Sequence, residues 1–318
     1  MNPGAPLAVQ WRGDEPESVH HGHLVAVDAT GQVLFALGEP TERIYARSAV
    51  KPVQVLPLLL SGAAEAYGLP DACLAVAMAS HSGEEAHRAA VRALLELAGL
   101  DEGQLQCGTH APYHEPTATA LLLRGEAPTP LYCNCSGKHA GMLAVCRHQG
   151  WDLAGYRDAD HPLQCWIREL LAGLAEVPVA DLGHAIDGCG VPVWRLPLIG
   201  LARAFSRLAG SADPVHQRVA KLMTEHPHLI AGTGRLDTDL MRAGGGRVFG
   251  KIGGEAVHAG GVRGTGIGWA IKVTDGNKRA LGPALARLLE MVGHPVDLPT
   301  AVVYNNRREA VGRVAAAF

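Results

Sequence analysis

The chain has 318 residues, 47% of them hydrophobic, with a formal net charge of −3. That is enough apolar chain to bury a substantial core in one domain or two closely joined ones. With no basic run nucleic acid is not an expected partner, and no apolar stretch is long enough to span a bilayer.

The start, Met1-Asn2-Pro3-Gly4, has neither a charged n-region nor an apolar h-region, so no signal peptide is expected. Seven cysteines, an odd number without a repeating framework, fit reduced thiols in a cytoplasm. His20, His21 and His23 read as a solvated loop before the first strand. Residues 24–27 and 33–37 read as a hairpin around Thr30-Gly31. Helices are expected over 48–60, 84–98, 139–148, 162–174, 196–208, 214–225 and 277–292, with Pro57 kinking the first. Residues 73–78 suit a buried strand, and 247–250, 256–259 and 265–274 read as late strands. The tail after Pro295 forms a last strand or helix. The hairpin and late strands join into one antiparallel sheet covered by helices, an α/β class of the α+β type. One domain over 1–318 is expected, with a helical subdomain within 85–225.

Four islands carry chemistry. In Arg47-Ser48-Ala49-Val50-Lys51-Pro52, a helix puts Ser48 and Lys51 on one face. A lysine held neutral by burial or a nearby cation can take the serine proton. Next, Ser80-His81-Ser82-Gly83-Glu84-Glu85 lies where a strand would turn into a helix. Ser82 and Glu85 fit a capping box, which leaves Ser80 and His81 without a capping duty. Third, Cys133-Asn-Cys-Ser-Gly-Lys-His139 gathers two thiols, a hydroxyl, an amine and an imidazole at a helix start. Cys135 and Lys138, three apart, aim one way. A thiolate beside a lysine points to a zinc site or a nucleophile site. Cys189, in Asp187-Gly-Cys-Gly190, sits between glycines that let backbone approach a bound group. Cys73, Cys107, Cys146 and Cys165 read as core packing.

Three later stretches divide. Gly264-Thr-Gly-Ile-Gly268 enters a strand instead of opening a helix, so it is not a dinucleotide loop. His226-Pro-His228 reads as a helix cap. Residues 231–239 hold Arg235, Asp237 and Asp239 among glycines and are expected in a pocket wall.

The segments RSAVKP, ASHSGEEAH, CNCSGKHAGML and DGCGVP, in that order, resemble the L-asparaginase II family of the thermolabile, rhizobial type. The likeness runs from about Gly22 to beyond Gly268. It implies a fold like the serine β-lactamases and glutaminases, and an active site with two Ser–Lys tandems. Ser48 and Lys51 match the first tandem; Ser80 and Lys251, in Gly250-Lys-Ile-Gly-Gly-Glu255, match the second. The family's zinc ligands fall on Cys135, Lys138 and Cys189, with water completing a site that orients substrate. Arg47, His139 and Asp187 flank these groups as substrate contacts. The implied activity is hydrolysis of L-asparagine to L-aspartate and ammonia, by a cytoplasmic homodimer with Ser48 as nucleophile. Two other classes stay open. One is a serine acyl-enzyme on other amides, such as a glutaminase or a penicillin-recognising amidase. The other is a zinc-dependent binding protein without activity. Ile252, where penicillin-recognising enzymes carry a hydroxyl, argues against ordinary β-lactam recognition.

Overall fold

A computed structural model describes residues 2–318. Its frame is an eight-stranded antiparallel sheet in the order β10-β11-β1-β2-β9-β8-β7, with β3 also on β2. The strands are β1 (Ala5–Arg12), β2 (Glu15–Val27), β3 (Val33–Leu37), β7 (Val248–Ile252), β8 (Val257–Val262), β9 (Ile267–Val273), β10 (Ala301–Tyr304) and β11 (Ala310–Ala316). Side chains alternate across a strand, and here both faces are covered. From β2, Leu24 and Ala26 enter a core with Trp269, Ile271 and the Leu281–Met291 helix. Val25 and Val27 enter the opposite core with Ala270, Phe205 and Leu208, the last two from the Leu198–Gly210 helix. That double burial explains why β2 reads as a continuous apolar run at its end.

The expected class, an antiparallel sheet covered by helices, is what the structure shows. The early hairpin joins the late strands directly, with Leu24 opposite Ile271. Several local expectations fail for identifiable reasons. Residues 73–78 are not a strand but belong to the Asp71–Ala77 helix. That helix is alanine-rich, starts at an aspartate after Pro70, and is buried nearly all round. Its 3.6-residue period is therefore hidden. His20, His21 and His23 lie within β2 and not in a loop, the first two paired with β1 and His23 with β9. The helix expected over 48–60 is broken into a 3-10 turn Arg47–Val50 and two short helices, Lys51–Gln54 and Leu56–Leu60, each carrying a proline in its first turn. Ser82 does not cap the helix after it. Glu84 is the residue at the cap position, and the Ser82 hydroxyl donates to the Ala231 carbonyl instead.

A second, three-stranded sheet positions the site. It runs β4 (Arg43–Tyr45), β6 (Pro192–Pro197), β5 (Gly183–Ile186). The end of β4 leads straight into Arg47 and Ser48, while the β5–β6 turn holds residues 187–191. Pairing both strands to β6 brings those two segments together.

Candidate active site

The turn at Arg47–Val50, the Ser80 turn, the start of the Ser136–Gln149 helix and the β5–β6 turn enclose a cavity of about 320 Å³. Arg47, Ser48, Ser80, Cys135, Asp187 and Cys189 line it, with Arg235, Tyr113, Asn134 and His110 completing the wall. Gly190 closes the β5–β6 turn at φ +86°, a left-handed conformation that glycine adopts without strain. A side chain there would also strike the Arg157 guanidinium. This is the backbone freedom expected around Cys189.

Lys51 is fully buried and crosses between the motifs. Its Nζ donates to Ser80 Oγ at 3.0 Å, to the Ala79 carbonyl at 2.5 Å and to Cys135 Sγ at 3.1 Å. The lysine of the first motif is thus bonded to the serine of the second. Ser48, half-buried in the 3-10 turn, keeps its hydroxyl free of hydrogen bonds among the described residues. A 3-10 turn eclipses residues three apart, so Ser48 and Lys51 share a face, yet no hydrogen bond joins them among the described residues.

Lys251 lies elsewhere. It is fully buried on β7, where Nζ donates to Asp237 Oδ2 at 3.3 Å and to the Ile252 carbonyl at 3.0 Å. Burial lowers its pKa against the pull of Asp237, and the nearby Lys51 and Arg235 charges push the same way as burial. Asp237 also accepts from the Ile252 N–H and faces His258 at 3.3 Å. Lys251 therefore has no bond to Ser80, although its neighbour Ile252 lines the cavity.

The sulfur groups converge. Lys138 Nζ donates to Cys189 Sγ at 2.9 Å. Cys135 is held well below the usual thiol pKa, chiefly by hydrogen bonds from Cys133 and Cys189, with Lys51 and Lys138 adding positive charge. Cys189 is pushed up as the protonated partner of that thiolate. Burial works against the Lys138 charge, but the Cys189 and Cys135 sulfurs outweigh it and raise its pKa. Two soft sulfurs and an amine meeting in one buried spot fit a zinc ion in their chemistry, provided Lys138 gives up its proton.

Arg47 holds a left-handed backbone at φ +51° and donates from Nε to Asp187 Oδ1 at 2.7 Å. A strained arginine at a cavity mouth is a mark of function rather than of folding economy. His139 goes the other way. It is fully buried, bonded through Nδ1 to Tyr156 Oη at 2.7 Å, and is not among the cavity residues. One residue beyond Lys138 on a helix turns the side chain about 100° away. His81 is also a buried neutral group: Gly83 N–H donates to its Nδ1 and Ser136 Oγ meets its Nε2. Sequence reasoning passed over Tyr113, His110 and Asn134. Only Asn134, inside the Cys133–Cys135 motif, had a nearby signal.

The L-asparaginase II family model matches residues 8–316. The chain belongs to that family, a family of amidohydrolases. Among solved structures, a β-lactamase from Mycobacterium bovis is 16% identical, with 84% of this chain and 93% of that one covered at a TM-score of 0.43. A putative β-lactamase from Bacteroides dorei is 13% identical over 85% of this chain and 93% of that one, at 0.45. Mglu, crystallised in 4.3 M NaCl, is 17% identical over 90% of this chain at 0.38, and this chain spans 66% of Mglu's length. Among curated proteins none matches the chain.

Proposed function

We propose that this family member is an L-asparaginase, hydrolysing L-asparagine to L-aspartate and ammonia through a serine ester. The observation that carries this reading is the 3.0 Å bond from Lys51 to Ser80 in the wall of a cavity that also presents Ser48. Amide hydrolysis needs a nucleophile, a base and charges that fix the substrate. A cavity of about 320 Å³ is at the small end for ligand sites and suits an amino-acid amide. Asp187 suits the substrate ammonium, and Arg47 and Arg235 its α-carboxylate.

Ser48 attacks the carboxamide carbon, because its hydroxyl is the unengaged one, while Ser80 is only 3% exposed. The proton leaves through Ser80 to Lys51, which can take it once it has released one of the three protons it donates here, and Lys51 returns it to the departing ammonia. Water then hydrolyses the Ser48 ester. Lys251, on Asp237, supports the site by its charge behind Ile252. Cys135, Lys138 and Cys189 would hold one zinc ion, which supplies a fixed positive charge for orienting substrate. The same reading makes the protein a cytoplasmic homodimer; the seven cysteines are all free thiols. No helix among the described residues is long and apolar enough to cross a membrane.

The Lys51–Ser80 bond also favours a second reading, in which Ser80 attacks with Lys51 as its direct base. Single-turnover kinetics and mass spectrometry of the trapped ester separate the two. Ser48→Ala should abolish the ester and Ser80→Ala should slow its formation. An ester on Ser80, with turnover kept in Ser48→Ala, reverses the roles. No ammonia from asparagine anywhere between about pH 6 and 10 removes the activity.

A further inference from the structure

The turn that follows Ser80 carries a second set of donors outside the cavity. Glu84 stands at the start of the Glu85–Leu97 helix, His87 lies within its first turn, and His228 belongs to the short Pro227–Ile230 helix. Each offers one ligand atom, and the three atoms lie within 4.8 Å of one another. His228 Nε2 and Glu84 Oε2 are 3.2 Å apart. Two ligands of one tetrahedral zinc, each about 2.1 Å from the ion, stand about 3.4 Å from each other. The pair is already spaced as metal ligands are.

His87 supplies an independent sign. Its Nε2 lies 2.8 Å from the His228 carbonyl oxygen. A carbonyl only accepts, so the ring proton is on Nε2 and Nδ1 is a bare lone pair. That Nδ1 is buried and has no hydrogen-bond partner among the described residues, in a side chain that is 0% exposed. An imidazole with one N–H fixed on a backbone carbonyl and the other nitrogen free is the arrangement of metal-bound histidine. Thr233 donates to Glu84 from both its N–H and its hydroxyl, each at 2.8 Å, which fixes the carboxylate as outer-shell groups do. Asp71, Glu225 and His226 also come within reach of one another, but at the surface and without an orphaned buried atom.

We propose that Glu84, His87 and His228 bind one divalent transition-metal ion of the zinc class, at a site separate from the thiolate centre. Two imidazoles and a carboxylate select such ions over magnesium or calcium. The ion would tie the Ser80 turn to the loop after His228. Those two segments already meet through Ser80 N–H on the Ile230 carbonyl at 3.0 Å and Arg235 on Ser82 Oγ at 3.0 Å. Its place is therefore structural, beneath the wall that carries Ser80 and Arg235.

The test uses zinc and cobalt(II) alone as probes. Cys135→Ser with Cys189→Ser removes the thiolate ligands; after dialysis against zinc, elemental analysis should still find one equivalent. Cobalt(II) in that variant should give a spectrum without sulfur charge-transfer bands. Adding His228→Gln, whose side chain is 32% exposed and tolerates exchange, should remove the equivalent and the zinc-dependent rise in melting temperature. Glu84→Gln should do the same. If the double cysteine variant does not fold, the full chain should hold two equivalents and His228→Gln one. Zinc content unchanged by both His228→Gln and Glu84→Gln, or none beyond the thiolate site, overturns the proposal. In that case hydrogen bonds and the stacked rings of His81, His87 and His228 hold the loop without an ion.

Discussion

Gly253→Ala tests whether the Arg47–Val50 turn carries the reacting hydroxyl. A Cβ on Gly253 would lie 2.8 Å from the Ala46 carbonyl oxygen and 3.2 Å from the Ala49 nitrogen. Both are backbone atoms of the segment that holds Ser48, and neither can swing aside as a side chain would. Ordinary contact begins near 3.4 Å, so the turn or the end of β7 must move by about half an ångström. Overpacking of this kind costs about 1–3 kcal/mol of stability. A misplacement of about 1 Å near the chemistry costs about 100-fold in rate, so half of it should cost about 10-fold. The expected result is kcat for ammonia release from asparagine down about 10-fold, with a lower urea midpoint and little change in KM. Gly254→Ala is the internal control. Its Cβ would meet the Arg47 guanidinium at 2.9 Å, the far end of a flexible side chain. That variant should raise KM and spare kcat. Wild-type kcat in Gly253→Ala, at the expected loss of stability, would refute the reasoning that this turn positions the attacking group.

Asp237→Ala strips the fully buried Lys251 of its carboxylate and should cost about 3–5 kcal/mol in urea unfolding. Adding Lys251→Met should recover part of that loss, and an unchanged loss in the double variant would show that the pair is not coupled. His81, His87 and His139 are all held below the ordinary imidazole pKa by burial, His87 down to about 4. Below about pH 6.5 the unfolded chain therefore binds protons that the folded chain refuses, and stability falls as pH falls. Each such group contributes about 1.4 kcal/mol per pH unit once the pH is below about 6.5, and for His87 this continues to about pH 4. Urea unfolding at pH 7.5 and 5.5 measures this, and equal stability at the two values contradicts it. Removing zinc by chelation should raise KM for asparagine more than it lowers kcat, the mark of lost positioning. Loss of kcat alone at saturating substrate would assign the metal to the chemical step.

Much of the fold was legible because its central strands are short apolar runs bounded by turn residues. The hairpin of β2 and β3 and the late strands β8 and β9 follow from such runs ending at glycine and polar turns. What was not legible shares a cause. The first half of β2, with Glu15, Glu17, His20 and His21, is polar enough to read as loop, and only its pairing to β1 and the β1–β11 contact makes it strand. The Asp71–Ala77 helix fails in the opposite sense, since a helix buried on every side shows no stripe. Both are cases where tertiary surroundings override the local pattern.

The site shows the same division at the level of single bonds. Residue types and order marked Ser48, Lys51, Ser80, Cys135, Lys138 and Cys189, and the fold brings them around one cavity or directly beneath it. Which groups touch was not in the spacing. Ser48 and Lys51 are three apart on one face, but Lys51 runs inward to the Ala79 carbonyl, Ser80 and the Cys135 sulfur, which take its protons. A buried ammonium goes where acceptors are dense, since an unmet donor in the interior costs more than a long-range partner. Lys251 follows the same rule. Asp237, fourteen residues of chain away and also accepting the Ile252 N–H, offers a full negative charge inside the protein, and a serine hydroxyl does not. Asp237 itself was visible in the sequence only as one of two carboxylates in a glycine-rich stretch. The pairing of lysines with acceptors is therefore a property of burial, and sequence order constrains it only through the segments that burial brings together.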